Sequence, residues 1–152
     1  MRWERLLKEG ITLEAPNTTR YRHFFEGVRA GDLVLHYLTT ALTPKKEKRS
    51  SVVGASRVAA DPAAVGKKIV AGCSDTLELS KPVLYNELHG RKRKSPLLSK
   101  LGRLNMQRYL TQISQPDFES ILGVHPKNKC RFLKSPLAKH LRTCLNRHGV
   151  FS

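Results

Sequence analysis

Two short runs, Gly31-Asp32-Leu33-Val34-Leu35-His36-Tyr37-Leu38 and Ser51-Val52-Val53-Gly54-Ala55-Ser56-Arg57-Val58, constrain the fold more than any other part of the chain. Each is rich in β-branched or aromatic residues and bounded by turn formers, the pattern of a strand. Their order and spacing predict a hairpin. Between them, Thr43-Pro44-Lys45-Lys46-Glu47-Lys48-Arg49-Ser50 has no apolar period and too much like charge to be buried, so a solvated loop is expected. A basic loop projecting from a β-sheet points towards a polyanion.

The balance of charge agrees. The 152 residues include 28 Lys and Arg against 12 Asp and Glu, a formal net charge of +16. That length predicts one domain, large enough to bury a core without disulfides or a structural metal. Nucleic acid is the first partner to consider, because basic side chains release counterions condensed on phosphates. An anionic membrane would call for a wide apolar helical stripe or an apolar run of about twenty residues, and the sequence has neither. Met1 leads directly into charged residues, so no secretory leader is expected. Cys73, Cys130 and Cys144 are widely spaced and odd in number, which argues for reduced thiols in the cytoplasm.

Taken in order, Trp3, Leu6 and Leu7 share one helical face, and Gly10 is placed to end the helix. Ile11-Thr12-Leu13 reads as extended. A second short helix carries Tyr21, Phe24 and Phe25, stops at Gly27 and holds Arg20, Arg22 and His23 on its wet face. After the hairpin, residues 60–66 read as a turn with a short helical start, and residues 67–74 are open between loop and strand. Thr76 to Ser80 alternates as a half-buried strand, and Pro82 in its continuation requires an edge or a bulge. Ser95-Pro96 starts a helix, residues 105–113 favour a strand, and Ser114 to Asp117 caps a helix with Phe118, Ile121 and Leu122 inside and Gly123 at its end. A tail helix is expected from Ser135 and Pro136, with Leu137, Leu141, Cys144 and Leu145 along one seam.

Trp3-Glu4 opening a helix, the run Val28 to Tyr37, the run Val53 to Val58 and the late Tyr109-Leu110-Thr111-Gln112-Ile113-Ser114-Gln115-Pro116-Asp117-Phe118 together resemble the EVE domains, relatives of YTH and ASCH domains in the PUA-like superfamily. The resemblance covers about Trp3 to Leu122. It implies an α+β fold: a PUA-like, EVE/YTH-type curved β-barrel surrounded by short helices. On this resemblance residues 1–124 are expected to form the EVE-like domain, and residues 125–152 a basic C-terminal helical extension packed on it. It also implies a surface pocket for a single base, modified or not, flipped out at a cost of a few kcal/mol that stacking and edge hydrogen bonds recover. Relatives place a cage tryptophan where Thr12 or Leu13 stands here.

The candidate base pocket is therefore Trp3, Thr12, Leu13 and Tyr37, with Trp3 and Tyr37 each open to a core role instead. His36 faces the other way, as a surface or barrel-end residue. Candidate phosphate contacts are Arg20, Arg22, Lys45, Lys46, Arg91, Lys92, Arg93 and Lys94. His140, Cys144 and His148 recur every four residues, but not with the spacing of a zinc finger or ribbon, so neither metal nor cofactor is expected. Asp32, Asp61, Asp75 and Asp117 each have a turn or capping role available, and no nucleophile elbow or phosphate-cradling loop occurs. A non-enzymatic nucleic-acid-binding module, on DNA or RNA and with no membrane partner, is the resulting expectation. An ASCH-type hydrolase of RNA or nucleosides, and a charge-driven RNA-associated structural protein, are the alternatives.

Overall fold

The computed structural model describes residues 3–38, 51–84, 87, 110–112, 115–139 and 143–148. Helix α1 (Trp3–Glu9) ends at Gly10, whose φ of 91° allows the left-handed cap and whose N–H donates to the Leu6 carbonyl at 3.0 Å. Strand β1 (Thr12–Pro16) buries Leu13 and Ala15 and turns Thr12 and Pro16 outward, the two-residue period of the sequence. Helix α2 (Thr19–Phe25) buries Phe25, with Tyr21 and Phe24 half-buried beside it.

The expected hairpin is present: β2 (Leu33–Leu38) and β3 (Ser51–Val58) pair antiparallel. The helical start expected at residues 60–66 is not. Ala63–Val65 is a strand, β4, that turns at Gly66 into β5 (Lys68–Leu84). Gly66 has φ 60°, which a two-residue hairpin turn favours, and the backbone bonds so formed outweigh the helix-start signal of Asp61-Pro62.

Strand β5 pairs with β1 and β4 along its first half and with β3 along its second. Two bulges bend it against β3. Asp75 and Thr76 lie opposite Ser56 alone, and Asp75 takes φ 54° there; Leu79, Ser80, Lys81 and Pro82 lie opposite Val53 alone. Pro82 thus sits in a bulge, as its missing N–H requires.

Strand β6 (Leu110–Gln112) precedes helices α3 (Gln115–Leu122) and α4 (Pro126–Leu133), a 3-10 turn (Pro136–Lys139) and strand β7 (Thr143–His148). The expected tail helix is therefore absent. The C-terminal segment does contain a helix, α4, but it lies upstream, and Thr143–His148 instead inserts beside β2, parallel to it, from Leu33↔Thr143 to Leu38↔His148. The reason is tertiary: without β7 the second edge of β2 would leave buried backbone groups unbonded, and that demand overrides a helical period.

The strand order β1-β5-β3-β2-β7-β6, with β4 also on β5, makes a seven-stranded α+β sheet curled into a half-barrel, mostly antiparallel. The curl brings β6 back towards α2. Both faces of β2 are covered. Leu33, Leu35 and Tyr37 pack with Val52, Ala55, Leu79 and Val83 against Phe118, Ile121 and Leu122 of α3 and Phe132 of α4, and the Phe118 and Phe132 rings meet at 5.3 Å. Val34 packs on the other side with Leu13, Ala15, Phe25, Val28, Val58 and Ala71.

One polar residue ties the second bulge down. The bulge takes Lys81 out of register with β3, and the fully buried Asn128 of α4 supplies what is missing: its Oδ1 accepts from the Lys81 N–H at 3.0 Å, and its Nδ2 donates to the Lys81 carbonyl at 2.7 Å. Asn128→Ala leaves both partly buried main-chain groups without these partners. We expect a loss of about 2–4 kcal/mol and a Tm lower by roughly 5–15 °C, read by urea and thermal unfolding. Asn128→Asp should recover little, because a second acceptor then faces the Lys81 carbonyl.

Candidate nucleic-acid interface

Helix α2 presents Arg20 and Arg22 to solvent because its Tyr21, Phe24 and Phe25 side is drawn onto the sheet. The Arg20 guanidinium lies 5.8 Å from the centre of the Tyr21 ring, and Arg22 Nε donates to Asn17 Oδ1 at 2.7 Å. Neither contact neutralises charge, so both guanidinium groups keep their positive field outside the fold. Lys45, Lys46 and Arg91, Lys92, Arg93 and Lys94 lie outside the described residues.

The base-pocket candidates are dispersed. Trp3 opens α1; Thr12 is exposed on β1; Leu13 is fully buried with Ala15, Phe25 and Val34. Tyr37 is only 6% exposed and belongs to the other core cluster, with Leu79, Phe118 and Phe132. Leu13 and Tyr37 thus serve separate clusters, and the structure does not bring them onto one surface.

His36 corrects the sequence expectation most sharply. It is fully buried, and its Nε2 is hydrogen-bonded to the Ser56 hydroxyl, also fully buried. Cys73 of β5 joins the same group through a hydrogen bond with Ser56 and another with the Leu13 backbone. Three strands therefore share one internal polar cluster, which satisfies groups that an apolar environment would otherwise penalise. Burial dominates at Cys73 and pushes its thiol from 9.0 to about 11, while the two hydrogen bonds act in the opposite direction. A thiol so raised stays protonated and a poor nucleophile at neutral pH.

The proposed helical face of His140, Cys144 and His148 does not exist. His140 lies outside the described residues, and the other two stand on β7, where four residues span about 13 Å. Among the described residues, no group of three or more His, Cys, Asp or Glu gathers as a metal site, and no helix is long and apolar enough to cross a membrane.

Sequence reasoning passed over a further set of cations. Lys127, Lys129, Arg131 and Lys134 are exposed on or just after α4, and Lys81 is exposed on the adjoining bulge. The available signal was the acid-free run Pro126 to Lys139.

Cys73 yields a prediction with a defined sign. The folded thiol titrates near 11 and the unfolded one near 9.0, so its contribution is complete below pH 9 and is lost as pH climbs towards 11. The whole effect is about 3 kcal/mol, measurable as a fall in denaturation midpoint that Cys73→Ala lacks. In the native protein at pH 8, iodoacetamide should label the exposed Cys130 and leave Cys73 intact until unfolding. Comparison with protein-family models, with curated proteins and with solved structures found no match to this chain.

Proposed function

We propose that the chain is a non-enzymatic nucleic-acid-binding module with a PUA-like barrel of the EVE type, which holds phosphates by its basic surface and reads a single base, modified or not. The observation that carries the proposal is the formal net charge of +16. An excess of that size costs compactness through self-repulsion, and a polyanion is the partner that offsets it. The curled half-barrel with helices on its faces is compatible with the proposed barrel class. The exposed Arg20 and Arg22 supply charge in the form best suited to phosphate oxygens. The proposal includes a reducing, cytoplasmic setting, on the odd number and wide spacing of Cys73, Cys130 and Cys144 in the sequence.

A titration panel of methylated and unmodified DNA and RNA oligonucleotides at fixed salt tests the reading. Preference for one modified base, lost in Trp3→Ala, would support base recognition. Affinity that falls steeply with salt but ignores base identity would reduce the function to charge alone. Turnover of a modified nucleoside by the isolated protein would overturn the non-enzymatic assignment. Arg20→Ala and Arg22→Ala should each weaken binding uniformly across sequences and reduce the slope of log K against log salt by about 1.

A further inference from the structure

Resting on the nucleic-acid reading, we infer that α4 and the β5 bulge form a rigid phosphate-backbone grip made of Lys127, Arg131, Lys134 and Lys81. The grip is distinct from the α2 arginines, and its ligand is a run of successive phosphodiesters.

The geometry follows from the helix period. Asn128 and Phe132, four residues apart, are buried and define the inner side of α4. Lys127, Arg131 and Lys134 recur at four and three residues and form one ridge on the outside. At 1.5 Å rise per residue the ridge is about 10 Å long. Successive phosphates of one duplex strand advance about 3.4 Å along the axis and also wind around it, so a ridge of this length spans roughly two to three of them. Arg131 Nη1 also approaches Ser80 Oγ at 3.5 Å, and the exposed Lys81 follows Ser80 on the bulge, its main chain bonded to Asn128 of α4.

Three observations separate this ridge from ordinary solvated charge. Among the described residues none of the four cations has an acidic partner, whereas Arg5 pairs with Glu9 at 2.7 Å, Lys68 with Glu14 at 3.2 Å and Arg57 with Asp75 at 2.8 Å. The first turn of α4 holds Lys127 and no acid, although a cation there opposes the positive end of the helix dipole. Stability alone would favour the reverse. Finally, the Asn128 clamp on the Lys81 main chain fixes helix and bulge to each other, so the backbone that carries the cations is ordered before a ligand arrives.

The test compares the full chain with Lys127→Gln/Arg131→Gln/Lys134→Gln, and with Arg5→Gln/Lys68→Gln as the control that removes ion-paired charge. Binding to labelled duplex DNA and RNA is measured from 50 to 200 mM salt, with thermal midpoints as the folding check. The triple variant should lower the slope of log K against log salt by about 2.7, at about 0.9 per cation. Over that salt range the wild type should then lose about 40-fold more affinity than the variant. The control should show a markedly smaller change per charge removed. If the triple variant does not fold, the single variants should each lower the slope by about 0.9. An equal change per charge in variant and control overturns the grip while leaving nucleic-acid binding in place. No binding by the wild type overturns both. A triple variant that loses attachment to phosphatidylserine vesicles yet keeps the wild-type slope on nucleic acid also overturns the grip.

Discussion

The rest of the structure depends on the complete enclosure of β2. Its six residues lie between β3 on one edge and β7 on the other, and Leu33, Leu35 and Tyr37 enter one core cluster while Val34 enters another on the opposite face. A strand in that position has no water to fall back on, so each backbone group must find a protein partner. From this follow the insertion of β7, the apolar character of Leu33 to Leu35 on both faces, and the burial of His36 with Ser56 rather than its exposure.

The elements legible in the sequence were those where local signals agreed with tertiary need. The β2 and β3 runs, α2 with its Tyr21, Phe24 and Phe25, α3 with its Phe118, Ile121 and Leu122, and the bulge at Pro82 all carry their own patterning. β7 was not legible because Leu137, Leu141, Cys144 and Leu145 fit a helical seam, and a periodicity cannot register an open strand edge more than a hundred residues away. His36 was misplaced because alternation distinguishes wet from dry only when one face of a strand meets water, and here neither does. Asn128, flanked by lysines, looks like surface until the bulge 47 residues earlier is seen to need its amide. In the candidate site, Arg20 and Arg22 were legible as the wet face of an amphipathic helix. The α4 cations were hidden by a basic excess spread across the whole chain.

The structure also sorts that excess. Exposed pairs such as Arg5 with Glu9 and Lys68 with Glu14 contribute little to stability, on the order of 0–1 kcal/mol each. They leave most of the basic residues without compensation, since 12 acids cannot neutralise 28 bases. The fold is therefore maintained by the three apolar clusters of the described residues and their internal polar contacts against a standing repulsion. A bound polyanion would relieve that repulsion, and on the proposed function ligand binding and conformational stability become parts of a single equilibrium.

The place of β7 has a consequence for the order of assembly. Leu33 pairs with Thr143, so the interior of the sheet joins residues 110 positions apart. On the ribosome, β2 emerges with β3 as a partner on one side and waits on the other until nearly all of the described chain has been made. During that interval it offers an unfinished apolar edge to any passing strand, the exposure that invites mispairing in β proteins. Non-local pairing of this kind also slows folding from the denatured state. The net charge of +16, which we propose serves a polyanion in the finished molecule, also opposes the approach of other copies of the nascent chain to that edge until β7 closes it.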